Sequence, residues 1–135
     1  MKIIVDTCIW SLAFRRTENQ NNEHVSRLSD LIMDQRVQLI GPIRQEILSG
    51  IQHVEQFNLL QKKLTAFPDL PIVTEDYEHA AELSNTLRKK GIQGSSIDFL
   101  ICTLSHKHNM PIYTVDHDFI YFKKHIPIAL FLLEN

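Results

Sequence analysis

Apolar positions along this chain follow two rhythms. Ile3-Ile4-Val5 is an unbroken run of β-branched residues, the pattern of a strand buried on both faces. Similar short runs return over 37–40, closed by Gly41-Pro42, over 112–115 after Pro111, and at the chain's end over 128–132, with a two-residue run at Ile72-Val73. Between these runs the apolar positions recur at helical spacing. A helix is predicted over 7–14, and another over 23–36 on Val25, Leu28, Leu31 and Ile32. A third starts at Pro42 and carries Ile43, Ile47 and Ile51, and a fourth spans 53–67 on Val54, Phe57, Leu60 and Leu64. Thr74-Glu75-Asp76 opens a fifth, with a stripe of Tyr77, Ala80, Ala81, Ser84 and Leu87, ending at Lys90-Gly91. Gly94-Ser95-Ser96 feeds a sixth, with Ile97, Leu100, Ile101, Leu104 and His108 on one face, and 116–125 reads as a helical turn or short helix. The polar stretch 15–22 reads as a loop. Strands alternating with helices predict an α/β sandwich built on a parallel sheet. Such sheets bind ligands beyond the carboxyl ends of their strands.

The length, 135 residues, predicts one domain that buries roughly two-thirds of its unfolded surface without staples. A formal net charge of -2 excludes a strongly basic nucleic-acid binder. It leaves room for a nuclease, because clustered carboxylates offset surrounding Lys and Arg in the sum. Cys8 and Cys102 form no metal-type spacing, and both read as small core residues of a reducing compartment. The opening apolar run is too short for a signal peptide, and no stretch reaches the ~18 apolar residues of a membrane span. The expectation is a soluble, cytoplasmic protein.

Charge placement changes this picture. Asp6 directly follows the first strand, and Asp116 directly follows the 112–115 strand, with Asp118 two residues later. Asp98 lies in the first turn of its helix, and Glu46 lies one turn into the helix after the second strand. Each has an ordinary explanation alone: a helix cap, a favourable charge at a helix N-terminus, a turn residue or an exposed helix position. Together they abut buried apolar runs, where a charge is rarely placed without a partner. If the strands are parallel, the four acids Asp6, Glu46, Asp98 and Asp116 meet at one sheet edge. Four carboxylates about 5 Å apart repel by about 3 kcal/mol per pair at an effective dielectric near 20, so they require cations. Oxygen-only ligands suit Mg²⁺ or Mn²⁺, and the chemistry implied is phosphodiester hydrolysis.

At these residues the sequence resembles the PIN-domain family, and within it the VapC-type toxins, over essentially its whole length. Ile3-Ile4-Val5-Asp6-Thr7-Cys8-Ile9-Trp10 is similar to the family's opening segment, and Arg44-Gln45-Glu46-Ile47-Leu48-Ser49-Gly50 to its Glu-containing helix followed by Gly. Ile97-Asp98-Phe99-Leu100-Ile101-Cys102 resembles its third acidic segment, and Ile112-Tyr113-Thr114-Val115-Asp116-His117-Asp118-Phe119 its last. The resemblance implies a three-layer α/β/α sandwich over 1–135. It makes Asp6, Glu46, Asp98 and Asp116 the catalytic metal ligands, Asp118 a further ligand or supporting acid, and Thr7 and Thr114 orienting hydroxyls. It implies an endoribonuclease that uses Mg²⁺ or Mn²⁺, leaves a 5′-phosphate and a 3′-hydroxyl, forms a homodimer, and is silenced by a cognate antitoxin of a type II toxin–antitoxin pair. His117 between the two aspartates and Gly94-Ser95-Ser96 before Asp98 are departures.

Other chemistries fit less well. His106 and His108 diverge on a helix and do not make a zinc site. Asp116-His117-Asp118 is the D-x-D pair of haloacid-dehalogenase phosphatases, but there it opens the chain. A receiver-like domain needs a Lys after a late strand, and only Leu133, Glu134 and Asn135 follow 128–132. The remaining rival is a catalytically silent RNA-binding or scaffold domain on the same fold, whose mark would be lost acids. Arg15, Arg16, Lys89 and Lys90, with Arg88, are candidate RNA contacts against a null of ordinary solvated charge. Trp10 and Phe14 read as core, with partner docking as the alternative.

Overall fold

Ile3–Val5 (β1) is the central strand of a three-stranded parallel sheet in the computed structural model, flanked by Val37–Gln38 (β2) and Ile112–Tyr113 (β3) in the order β2-β1-β3. The structure describes residues 1–14 and 23–131. Ile3 lies opposite Val37 and Ile4 opposite Gln38 on one edge, and Ile4 opposite Ile112 and Val5 opposite Tyr113 on the other. All of β1 is fully buried, as a β-branched run covered on both faces requires.

Seven helices surround the sheet among the described residues: Thr7–Phe14 (α1), Glu23–Met33 (α2), Gly41–Ser49 (α3), Val54–Leu64 (α4), Thr74–Lys89 (α5), Ser96–His108 (α6) and Asp118–Lys123 (α7). α1 packs on α2 and α3, α3 on α4, and α5 runs along α6, which rests on β3. The apolar residues of β1, α3 and α6 form one core with Phe119 and Phe122. Trp10 joins that core, 2% exposed, and its Nε1 donates to the Val5 carbonyl at 3.2 Å.

Several sequence expectations need correction. Ile72-Val73 is not a strand, and Val73 is 45% exposed. The chain turns earlier, at Pro68, so Asp69 bridges Leu39 and the Leu70 N–H donates to the Leu39 carbonyl at 2.9 Å. The run at the chain's end contributes a single parallel bridge, Leu130 to Ile112, and Leu132 lies outside the described residues. α2 stops at Met33 rather than 36, because Gln35 adopts a left-handed conformation with φ 57 that no helix continues. On α5 the buried side is Asp76, Ala80 and Leu87, while Tyr77 stands 53% exposed.

Candidate active site

Asp6 stands where the sheet hands over to α1. Its backbone N–H makes the last rung with β3, donating to the Tyr113 carbonyl at 2.9 Å. Its own carbonyl accepts from the Ile9 and Trp10 N–H groups, and its Oδ1 accepts from the Thr7 N–H at 2.8 Å, so Asp6 also caps α1. Only 7% of Asp6 is exposed. Its other oxygen, Oδ2, faces β3, where the Thr114 hydroxyl donates to it at 2.8 Å. Thr114, directly after β3, is buried at 1% exposure.

The same hydroxyl orders the next turn. Thr114 Oγ1 accepts from the Asp116 N–H at 3.0 Å, and Asp116 Oδ1 accepts from the Asp118 N–H at 2.9 Å, which starts α7. From the opposite side, Thr7 Oγ1 donates to Glu46 Oε1 at 2.6 Å. Pro42, in the first turn of α3, suits the start of the helix that carries Glu46. One chain of hydrogen bonds therefore runs from Glu46 through Thr7 and Asp6 to Thr114, Asp116 and Asp118.

Asp98 reaches this region from α6. It is the third residue of the helix and forms a reciprocal cap with Ser95: the Ser95 N–H donates to Asp98 Oδ2 at 3.0 Å, and the Asp98 N–H donates to Ser95 Oγ at 3.1 Å. Gly94 explains why the loop lies where it does. A Cβ at that position would stand 2.7 Å from Phe122 and 3.0 Å from Phe99, whose rings pack 5.2 Å apart. The missing side chain lets the loop rest on this aromatic pair, which ties the start of α6 to α7.

The electrostatics join Asp98 to the others. Burial pushes the Asp6 carboxyl above its ordinary range, against the lowering effect of the Thr114 and Thr7 hydrogen bonds, and the charge of Asp98 pushes it further. Burial also raises Asp98, as do the charges of Asp116 and Asp118, while its Ser95 bonds pull the other way. The ion pairs among the described residues are Arg27–Glu23, Arg44–Asp69 and Lys107–Asp76, and none of them uses these acids.

Each acid is turned to a local partner, and among the described residues no three His, Cys, Asp or Glu side chains stand close enough to hold an ion as placed. The donor set nevertheless fits a hard divalent cation. It consists of carboxylate and hydroxyl oxygens, two of the carboxylates are raised by burial and by neighbouring acids, and the present partners are neutral hydrogen-bond donors.

His117 is exposed at the start of α7 and makes no capping bond. Lys89 and Lys90 are exposed at the end of α5, and a short loop brings that end towards the start of α6 and Asp98. Arg15 and Arg16 lie outside the described residues. Cys102 is core, as expected, but Cys8 is not. It is half-buried, and its Sγ lies 3.5 Å from Asp6 Oδ2 and 3.4 Å from Thr114 Oγ1. Its apolar neighbours Ile9 and Trp10 hid this. The signal available was its place in the first turn of a helix that opens on Asp6.

A family model described as PIN domain matches residues 3–124. No sequence among curated proteins matches significantly. Several solved structures share the fold, three of which are as follows. That of FitAcB from Neisseria gonorrhoeae is 21% identical, with 96% of each chain covered and a TM-score of 0.75. That of VapBC2 from Rickettsia felis bound to a DNA fragment from their promoter is 19% identical, with 96% of each covered and a TM-score of 0.72. That of DNA-bound VapBC from Salmonella typhimurium is 17% identical, with 96% of each covered and a TM-score of 0.69.

Proposed function

Because this chain belongs to the PIN-domain family, whose members are generally metal-dependent nucleases, we propose that it is an endoribonuclease using Mg²⁺ or Mn²⁺, and the toxin of a type II toxin–antitoxin pair. The observation that carries this reading is a buried carboxylate, Asp6, that lacks a basic partner among the described residues and feels the charge of Asp98. Asp6, Glu46, Asp98 and Asp116 would hold the cation, with Asp118 beside them. When bound, the ion acidifies water and offsets charge on the phosphoryl group. Thr114 and the Thr7 N–H fix the two oxygens of Asp6, and the Thr7 hydroxyl fixes Glu46. Lys89 and Lys90, with Arg15 and Arg16, would bind the RNA backbone.

The biological role leans on the structural neighbours, which are VapBC and FitAB complexes. Exposed apolar side chains support a partner surface. Leu59 on α4 and Phe14 on α1 are 56% and 37% exposed around a cavity of about 200 Å³ that also takes in Ile51. We read 1–135 as one PIN domain that dimerises and works in the cytoplasm. Among the described residues no helix is long and apolar enough to cross a membrane.

The test is expression of the chain alone in bacteria, followed by incubation of the purified protein with total RNA, with Mn²⁺ or with EDTA. Growth arrest and cleavage that EDTA abolishes are expected. RNA binding without cleavage in Mn²⁺ would favour the silent scaffold and overturn the nuclease.

A further inference from the structure

Cys8 follows β1 directly after Asp6 and Thr7, and its thiol meets both sides of the β1–β3 junction. The Thr114 proton goes to Asp6 Oδ2 at 2.8 Å, and Thr114 Oγ1 accepts from the Asp116 N–H. The Cys8 S–H therefore lies between two acceptors, Asp6 Oδ2 at 3.5 Å and Thr114 Oγ1 at 3.4 Å, while its sulfur accepts from the Val115 N–H at 3.5 Å. One side chain of α1 thus touches the carboxylate at the end of β1 and both residues that follow β3. A core cysteine makes no such set of contacts. Cys102, fully buried on α6, has no hydrogen bond of this kind among the described residues.

We propose that Cys8 is a positioning residue: its thiol holds the Asp6 carboxylate and the Thr114 hydroxyl in one orientation across the β1–β3 junction, and thereby sets the affinity of the acidic site for a divalent cation. The inference rests on the cation-dependent reading of that site. A thiol is a weak donor. It orients Asp6 without competing strongly for the lone pair that a cation must use. Two features distinguish this role from packing. Valine fills a similar volume but cannot donate, and serine donates but on a shorter bond.

The experiment measures Mn²⁺ affinity directly by calorimetric titration of the purified full chain, with melts in EDTA as the folding control. Cys8→Val and Cys8→Ala should bind Mn²⁺ about 5-fold more weakly, the loss of a weak donor's hydrogen bond to a charged acceptor. Cys8→Ser should return affinity to within about 2-fold of wild type. If Cys8→Val is too strained to fold, Cys8→Ala, which only removes atoms, carries the comparison. Wild-type affinity in a folded Cys8→Ala protein overturns the role of Cys8 and leaves the cation site standing. A serine variant as weak as the alanine variant also overturns it. If the wild type binds no Mn²⁺, both this inference and the cation-dependent reading fall.

Discussion

Asp76 and Asp98 are each the third residue of a helix, and each accepts a hydrogen bond of 3.0 Å from the backbone N–H just before that helix. From that shared start they diverge. Asp76, on α5, is 1% exposed and meets Lys107 of α6, whose Nζ lies 2.8 Å from its Oδ1. The Lys107 hydrogen bond, aided by the Val73 N–H, holds its carboxyl below the ordinary range. Asp98 has no such lysine among the described residues, and burial, aided by the charges of Asp116 and Asp118, moves its carboxyl up. Asp6 shares the fate of Asp98: it is buried, hydrogen-bonded by neutral donors, and raised. A buried acid with its own cation is a strut between two helices. A buried acid without one has its carboxyl raised, and on the proposed reading a bound cation would balance it.

The widest separation between the two kinds of acid should appear in catalysis. Asp6→Asn keeps the shape but removes the charge, and its amide nitrogen cannot accept one of the hydrogen bonds that the two carboxylate oxygens now receive. RNA cleavage in Mn²⁺ should fall at least ~100-fold, since the cation supplies several kcal/mol of transition-state stabilisation. Asp76→Asn should stay within about 3-fold of wild type at a temperature where both are folded. Single-turnover rates with the same RNA measure both. Equal losses in the two variants would erase the distinction between strut and site.

Stability should separate them in the other direction. Asp76→Asn gives up a charge-assisted bond to a half-exposed lysine, so the loss is about 1–2 kcal/mol after allowance for solvent screening. The sign of its pH dependence follows from the lowered carboxyl. Ionised Asp76 contributes stability above the ordinary value of 3.8, and that contribution disappears as pH falls through the folded value. Melts of wild type and Asp76→Asn should therefore differ fully at pH 7 and converge in acid below that value. A constant gap from pH 7 to pH 3 would mean that shape, not charge, is what Asp76 supplies.

Much of the fold was legible because it is local. β1 is three β-branched residues in a row, and such a run has no exposed face to lose. The starts of α3, α5 and α6 carried Pro42, Thr74-Glu75-Asp76 and Gly94-Ser95-Ser96. What escaped depends on partners distant in the chain. Ile72-Val73 has the composition of a strand, but the sheet edge is met by Asp69, decided by where the turn after α4 falls. The stripe on α5 was read from Tyr77 to Leu87, and Ala80 and Leu87 are buried as read, but Asp76, a charged residue, takes the buried place in the first turn. Asp76 is buried only because Lys107, 31 positions later, comes to meet it. Asp6, Glu46, Asp98 and Asp116 were grouped as candidates from their places after strands and at helix starts. The bond of Glu46 to Thr7, 39 positions earlier, was not readable. Cys8 was hidden because an apolar neighbourhood is the usual sign of a core thiol.

The smallest effect is also the sharpest discriminator, and it concerns Asp98 itself. Its raised carboxyl means that the folded chain holds the proton more tightly than the unfolded chain. Stability is therefore lost as pH rises from the ordinary value of 3.8 through the folded value, and the deficit persists at pH 7. Asp98→Asn removes the charge responsible. An amide oxygen can still accept from the Ser95 N–H, so the cap survives. Relief from Asp6, Asp116 and Asp118 is about 1–2 kcal/mol after screening, and the lost attraction to the helix N-terminus returns about 0.3–1 of it. In EDTA at pH 7 the variant should melt higher by about 1 kcal/mol, roughly 3 °C for a chain of this size, and the gain should vanish in acid. Saturating Mn²⁺ should reverse the order. Wild type gains about 2.7 kcal/mol when free cation is ~100 times its dissociation constant, and a site missing one carboxylate gains less. If Asp98 were a second Asp76, serving only its own helix, the variant would melt lower in EDTA and neither protein would respond to Mn²⁺.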